Sequence, residues 1–158
     1  MTAPEAPAAT AGSDIRARLA GLAIEWEHRY GVAPPITSAI SEYDAAMLLG
    51  LSDDEYASSC VGRSAVTPGT DFVHRGIRYQ VKANRPSGRA GSTVTIISKP
   101  RNLGFDVLVW VLYRPDFSFD EVWTVDVATF ERELHGLTYL RPVQLRAVGS
   151  RLYPRGIG

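Results

Sequence analysis

The sequence has little cysteine: Cys60 is the only one in 158 residues. A single thiol excludes an internal disulfide and a zinc site built from several cysteines. The three histidines, His28, His74 and His135, are widely separated and show no metal-ligand spacing. No histidine or cysteine motif accompanies Cys60, so we interpret it as a buried structural thiol rather than a nucleophile.

Long apolar runs are also missing, and none approaches the roughly 20 residues that a membrane-spanning helix needs. Residues 1–13 are rich in Ala, Pro and Thr and lack the basic start and apolar centre of a signal peptide. We therefore predict a disordered tail over residues 1–13 and a single domain over residues 14–158. The expected location is cytoplasmic, with no membrane partner.

The net charge is zero, but the charges are unevenly distributed. Residues 1–59 contain nine acidic and three basic side chains, whereas residues 60–101 contain eight basic side chains and one acid, Asp71. A positive field around one carboxylate favours binding of a polyanion at a metal ion, although a solvated basic loop is the ordinary alternative. The basic side chains of this block are Arg63, Arg75, Arg78, Lys82, Arg85, Arg89, Lys99 and Arg101.

The segment from residue 71 to residue 82 predicts a tight β-hairpin. Gly76 tolerates the positive φ that a two-residue Arg75-Gly76 turn requires. Side chains alternate across a strand, so the hairpin has one apolar face that meets the core and one polar face. The predicted pairs are His74 with Ile77, Val73 with Arg78, Phe72 with Tyr79 and Asp71 with Gln80.

The polar face of the hairpin brings an acid, an amide and an amine together as Asp71, Gln80 and Lys82. Directly opposed residues have Cβ atoms about 5 Å apart. Such a set suits a divalent metal beside a phosphate, because hard cations take oxygen ligands. A carboxylate before a hairpin is also often only a turn residue, and that alternative stays open. The apolar face consists of Phe72, Ile77, Tyr79 and Val81.

The remaining pattern predicts helices before the hairpin and strands after it, so the fold class is α/β: a mixed central β-sheet flanked by helices. Ser13 is the predicted cap of a first helix that ends near Tyr30. The core stripe of that helix is predicted as Ile15, Leu19, Leu22, Trp26 and Tyr30. Further helices are predicted over 37–49, from Ser52, and over 126–134, and further strands over 93–98, 105–113, 119–125 and near 139–143.

Two acids on the second predicted helix need separate interpretations. Glu42 lies on the small-residue flank of that helix, where a carboxylate is either solvated or points across a cleft. Asp44, one step further round, is predicted to be solvated.

The arrangement of Glu42, Pro68-Gly69-Thr70-Asp71 and Gln80-Val81-Lys82 resembles the PD-(D/E)XK nuclease superfamily, which has the restriction-endonuclease-like fold. Gln-x-Lys in place of an acid-x-Lys motif is similar to the variant of Mrr-like, modification-dependent nucleases. The segment Asn102-Leu103-Gly104-Phe105-Asp106 before an apolar strand also resembles small prokaryotic members. The resemblance covers roughly residues 36–134.

This resemblance implies an Mg²⁺-dependent (or Mn²⁺-dependent) endonuclease that hydrolyses phosphodiester bonds in DNA, in restriction or phage defence. The implied metal ligands are Asp71, the side-chain oxygen of Gln80, the backbone carbonyl of Val81, and Glu42 as a further or second-shell ligand. Lys82 would orient or help deprotonate the attacking water. The expected phosphate contacts are Arg78, Arg85, Arg89, Lys99 and Arg101.

Three functional alternatives stay open at this point. The first is the active nuclease, acting on DNA or on RNA, as a monomer or a homodimer. The second is a catalytically inactive nucleic-acid-binding module of the same fold, which the neutral Gln80 favours. The third is an interaction subunit in a larger defence complex.

Overall fold

A computed structural model describes residues 10–61, 63 and 68–155 of the chain. Within these residues, five strands form one sheet in the order β1-β2-β3-β4-β5. Only β2 and β3 run parallel; every other neighbouring pair is antiparallel. The sheet is therefore mixed, as predicted. The strands are β1 (Phe72–His74), β2 (Ile77–Asn84), β3 (Val107–Tyr113), β4 (Phe119–Asp126) and β5 (Ser150–Tyr153).

Helices flank this sheet, which confirms the predicted α/β class. They are α1 (Ala11–Tyr30), α2 (Thr37–Leu48), α3 (Asp53–Cys60), α4 (Val127–Thr129), which continues into a π-helical turn (Phe130–Leu134), and α5 (Pro142–Val148). No helix in residues 10–61, 63 and 68–155 is both long enough and apolar enough to cross a membrane.

The first helix begins earlier than predicted. Thr10 rather than Ser13 is its cap: the Thr10 hydroxyl accepts the Ser13 N–H at 3.1 Å, and the Ser13 hydroxyl accepts the Thr10 N–H at 2.9 Å. This reciprocal pair satisfies amide groups that a helix start leaves free. Residues 10–13 therefore belong to the start of α1 and not to the predicted tail; residues 1–9 lie outside the described residues.

The predicted core stripe of α1 is wrong. Its buried side chains are Ala20 and Ala23, which share a core cluster with Ala45 and Ala46 of α2. The large apolar residues of the predicted stripe lie instead on a flank of α1, beside the face that these alanines bury. Among the residues of the predicted stripe, more than half of the side-chain surface is exposed for Ile15 (59%), Leu22 (61%), Trp26 (52%) and Tyr30 (57%).

The central strand β3 has apolar cores on both faces, as its continuous apolar run predicts. Val109 and Val111 face the core that contains α1 and α2. Leu108 and Trp110 face a second core formed with the C-terminal segment. Each large side chain buried here contributes about 1.5–3 kcal/mol relative to exposure. The second core also contains Ile97, Phe105, Phe130, Leu134, Leu140 and Leu145.

Two predicted strands are wrong. Residues 93–98 and 139–143 meet only in a single bridge between Ile97 and Leu140. In place of the second, Pro142 occupies the first turn of α5, where its missing N–H costs no hydrogen bond. The last strand, β5, was not predicted. β propensity alone is a weak signal when pairing with a neighbouring strand decides the outcome.

Asp44 is buried, which corrects its predicted solvation. Only 8% of it is exposed. Arg16 of α1 donates to both oxygens of its carboxylate, from Nε at 2.9 and 3.2 Å and from Nη2 at 2.7 Å, and the Tyr113 hydroxyl donates a further hydrogen bond at 2.7 Å. The Arg16 guanidinium also donates to the Phe117 carbonyl at 2.6 Å. This buried cluster joins α1, α2 and β3 through polar contacts that are mutually satisfied.

Candidate functional site

The hairpin has the predicted turn and register. Arg75 and Gly76 both have positive φ, 50° and 79°, the combination that matches the twist of paired strands. Phe72, Val73 and His74 pair with Tyr79, Arg78 and Ile77 in turn. The Phe72 and Tyr79 rings stack with centroids 5.1 Å apart. Ile77 departs from the predicted apolar face, because it is 39% exposed beside the turn.

Asp71 does not form the predicted backbone pair with Gln80, because the paired residues of β1 begin at Phe72, which lies opposite Tyr79. Asp71 donates its N–H to the Tyr79 carbonyl at 2.8 Å. Its Oδ2 accepts the Val81 N–H at 2.6 Å and the Gln80 side-chain amide at 2.5 Å. The predicted contact between the acid and the amide is therefore present. The carboxylate has a structural role in the ladder in addition to any chemical one.

The Gln80 amide is turned the opposite way from the prediction. Its Nε2, rather than its side-chain oxygen, faces Asp71, and Nε2 also contacts the Val81 carbonyl at 3.4 Å. Without a cation, an NH₂ group between two oxygens makes two favourable hydrogen bonds. A half-turn of the amide would bring its oxygen towards those two oxygens. The three predicted ligands therefore already converge, with a hydrogen-bond donor between them.

The loop before Asp71 is held by a second segment of the chain. The Thr70 hydroxyl donates to the Gly104 carbonyl at 2.8 Å. Gly69 has a positive φ of 78°, and a Cβ at this position would lie 2.2 Å from the Asn102 side-chain oxygen. Only glycine fits that approach. The segments 68–71 and 102–104, each noted in the sequence for its motif, thus pack together and fix the position of the acid.

Glu42 of α2 lies within the electric field of the hairpin acid. It is half-buried. Burial and then the charge of Asp71 raise the pKa of Glu42 from 4.5 to about 7, while Arg63 and Lys82 oppose the increase. Burial also raises the pKa of Asp71, against the opposing effects of the Val81 N–H and the Lys82 charge. Two carboxylates thus share one partly dehydrated region.

Two cations act on this pair of acids. Lys82, on the same strand face as Gln80, lowers the pKa of both Asp71 and Glu42. Arg63 does the same, and its guanidinium contacts the Cys60 sulfur at 3.5 Å. Sequence reasoning placed Arg63 in the basic block but not in the site, because no motif marks it. Cys60 is half-buried, not fully buried as predicted.

The five predicted phosphate contacts are not equivalent. Arg78 forms an ion pair with Asp106 at 2.8 Å, and Arg89 donates to the Gly31 carbonyl at 3.0 Å. Lys99 donates to the carbonyls of His135 and Leu137. Arg101 is exposed.

Arg85 corrects the prediction most clearly. Only 6% of its side chain is exposed, its guanidinium pairs with Glu27 at 2.7 Å, and it lies over the Phe117 ring at 4.4 Å. A guanidinium that is buried and paired in this way serves packing between α1 and the turn after β3. Arg85 is therefore not a phosphate contact in this conformation.

The donor set fits a hard divalent cation better than zinc. It comprises the Asp71 carboxylate, the Val81 carbonyl, the Gln80 amide after its half-turn, and Glu42 nearby, all oxygen ligands. A site made from histidine, cysteine and carboxylates alone has no counterpart here: residues 10–61, 63 and 68–155 contain no group of three or more such side chains.

No protein-family model matches this chain, and no curated protein matches its sequence. We therefore infer function from the geometry and electrostatics of the Asp71–Lys82 hairpin and of Glu42.

Proposed function

We propose that the chain is a metal-dependent nuclease that hydrolyses phosphodiester bonds in DNA, with its centre at Asp71, Gln80, Val81 and Lys82. The observation that carries the proposal is the convergence of the Asp71 carboxylate, the Gln80 amide and the Val81 carbonyl within hydrogen-bond distance. The same residues carry the resemblance to the PD-(D/E)XK superfamily. Mg²⁺ or Mn²⁺ bound there would polarise the phosphate and lower the pKa of a water molecule.

The residues of the chain have distinct roles in this proposal. Asp71 supplies a carboxylate at the end of the loop that the Thr70–Gly104 hydrogen bond holds in place, and Val81 of β2 supplies a backbone carbonyl. Lys82 supplies a positive charge to the same region and orients the attacking water, and it stabilises negative charge that develops on the phosphate. Arg63 is the second cation that acts on both acids, and it suits a phosphate contact.

The raised pKa of Glu42 supports the proposal, because it links the protonation of this carboxyl group to metal binding. With a pKa of about 7, it is protonated in part of the population at neutral pH. A cation ligand must lose that proton, so metal binding should release a proton and strengthen as the pH rises through 7. A carboxylate that served only as a solvated surface residue would not show this linkage.

A catalytically inactive nucleic-acid-binding module is the second candidate, and one observation favours it. The Gln80 amide already satisfies the Asp71 and Val81 oxygens, so a bound cation must displace two hydrogen bonds. In addition, Gln80 contributes no negative charge. Both effects predict weaker Mg²⁺ binding than an acid at that position would give.

The test is cleavage of plasmid DNA with Mg²⁺ or Mn²⁺ by the wild type, Asp71→Asn and Lys82→Ala. We expect metal-dependent nicking by the wild type and a loss of at least about a hundredfold in each variant, because each removes a ligand or the general acid–base group. Asp106→Asn is the matched control. Like Asp71, Asp106 accepts a strand N–H, from Arg78 at 2.9 Å. It should retain wild-type activity.

Binding measurements separate the outcomes. If the wild type cleaves neither DNA nor RNA with either metal, the nuclease proposal fails. In that case, salt-sensitive DNA binding that Lys82→Ala weakens would support the inactive module instead. If neither cleavage nor binding occurs, the interaction-subunit alternative is left.

A further inference from the structure

The outer flank of α1 carries an apolar stripe that the rest of the described chain leaves uncovered. Ile15, Leu22, Trp26 and Tyr30 are each more than half exposed, and they account for four of the exposed large apolar side chains in residues 10–61, 63 and 68–155. Leu19 lies between them and is half-buried. The spacings of four and three residues place all five side chains along one edge of the helix.

The two ends of the stripe differ in shape. The Trp26 and Tyr30 rings pack against each other with centroids 4.6 Å apart. At the other end, Ile15 and Leu19 border a groove between α1, α2 and α3, which Ala39, Tyr43 and Tyr56 also line. One end of the stripe thus presents an aromatic side chain, and the other presents an apolar groove that could receive one.

Charged residues follow the solvent side of the stripe in alternating sign. From the helix start they are Asp14, Arg18, Glu25 and Arg29, a pattern of minus, plus, minus, plus. All four are exposed. Read from the opposite end of the helix, the signs are reversed. Two such helices running antiparallel therefore place opposite charges together on the same side of the seam, whereas in a parallel two-fold pair the two charged rows lie on opposite sides of the seam and do not meet.

We propose that α1 forms an antiparallel, two-fold contact with α1 of a second copy of this chain. In the register that packs Leu19 against Leu22 of the second copy, Ile15 lies opposite Trp26 of the second copy. The same register places Arg18 beside Glu25 of the second copy, and the two-fold axis repeats each contact. This is the heptad geometry of an antiparallel helix pair, with opposite charges flanking an apolar seam.

The same register also provides a side chain that could fill the groove. Trp26 of the second copy lies at the end of the helix where Ile15 and Leu19 border the groove. A tryptophan in an apolar pocket is the typical centre of binding energy in an interface. Asp14 and Arg29 of the second copy form a second charge pair further along the seam. This pair has the same offset along the helix axis as Arg18 and Glu25 of the second copy.

A seam from Ile15 to Tyr30 is about 22 Å long at 1.5 Å per residue, which is small for an obligate dimer. We therefore expect a monomer–dimer equilibrium that depends on protein concentration. This inference concerns α1 alone and holds whether or not the hairpin site hydrolyses a phosphodiester.

Sedimentation velocity on the full chain tests the contact. The wild type should shift from monomer to dimer over about a hundredfold range of concentration. Arg18→Glu and Glu25→Arg should each weaken dimerisation about tenfold or more, because each places like charges together. The double variant Arg18→Glu/Glu25→Arg should restore the wild-type constant to within about threefold. Restoration is expected only for an antiparallel pair.

Two further variants complete the design. Trp26→Ala should abolish dimerisation, and since this side chain is 52% exposed, the monomer should keep its fold by circular dichroism. Glu131→Arg, an exposed charge reversal outside α1, should leave the dimerisation constant unchanged. A wild type that stays monomeric throughout, or single reversals without effect, or a double reversal that restores nothing, would each overturn the proposal.

Discussion

Two carboxylates on α2, Asp44 and Glu42, are two residues apart and have opposite environments. Asp44 is 8% exposed and receives hydrogen bonds from Arg16 and Tyr113 at 2.7–2.9 Å. Glu42 is half-buried, and its strongest charge interaction is repulsion from Asp71. Burial and this repulsion together raise the pKa of Glu42 to about 7. Burial is common to both. The difference is whether the protein itself supplies the compensating donors.

The comparison distinguishes a structural acid from a candidate ligand. An acid whose hydrogen bonds are all provided by the fold stabilises the fold and has little capacity left for a ligand. An acid that is dehydrated beside another acid costs stability, and a cation or a proton relieves that cost. Perturbed carboxylates of the second kind are typical of functional sites, although structural networks also perturb them.

Among the substitutions that test this difference, we expect Asp44→Ala to have the largest effect on stability. This change leaves the Arg16 guanidinium, with a side chain 24% exposed, and the Tyr113 hydroxyl without their acceptor. We expect a loss of about 3 kcal/mol in the free energy of unfolding, measured by urea denaturation. Asp106→Ala is the control: it removes a carboxylate that also pairs with an arginine, but on the surface, and its effect should be much smaller. Equal losses would contradict the distinction.

Glu42→Gln tests the other acid through pH. The folded pKa of about 7 exceeds the ordinary glutamate value of 4.5, so the folded state binds the extra proton and its stability falls as the pH rises from 4.5 to about 7. Glutamine mimics the protonated acid. Glu42→Gln should therefore match the wild type near pH 4.5 and become more stable by about 2–3 kcal/mol above about pH 8.

Glu121→Gln should give the opposite sign. Burial raises the pKa of Glu121, but hydrogen bonds from Arg146 and Trp123 outweigh it, and the net pKa is lowered. A lowered pKa stabilises the fold above the unfolded pKa, and this stability is lost as the pH falls. The glutamine variant should consequently be less stable than the wild type at neutral pH. Stability differences independent of pH in both variants would contradict the assigned environments.

Gln80→Glu tests whether the hairpin site binds Mg²⁺, and we expect it to have the smallest effect of these substitutions. A glutamate would put a second negative charge where the amide now lies 2.5 Å from Asp71. Without metal, the protein should become less stable, and Mg²⁺ should restore more stability than in the wild type. We expect Mg²⁺ to bind about tenfold more tightly by calorimetry, a change of about 1.4 kcal/mol.

Gln144→Glu is the matched control for that measurement. Gln144 accepts the Arg141 N–H at the start of α5, a position that glutamate also fills well. Its Mg²⁺ affinity should equal that of the wild type. Identical Mg²⁺ affinities for Gln80→Glu and the wild type would show that the hairpin is not where the metal binds.

The local features of the fold can be predicted from the sequence alone. Gly76 and the alternation around it specify the hairpin and its register, because a two-residue turn leaves one pairing that separates the apolar and polar faces. The continuous apolar run before Tyr113 likewise specifies a strand with cores on both faces. The predicted hairpin brings Asp71 close to Gln80, although in the structure Asp71 precedes the paired residues and reaches Gln80 through its side chain.

The neighbours that each helix and strand contacts depend on the tertiary fold and cannot be predicted from local sequence patterns. The five-residue stripe on α1 has an ideal helical period, yet two alanines form the buried face of the helix and join the core cluster that also contains Ala45 and Ala46 of α2. Asp44 and Arg85 have ordinary surface identities but are buried with partners distant in the chain, Arg16 and Glu27. Charge pairing across 28 or 58 positions leaves no periodic signal in a sequence, so the fold alone reveals it.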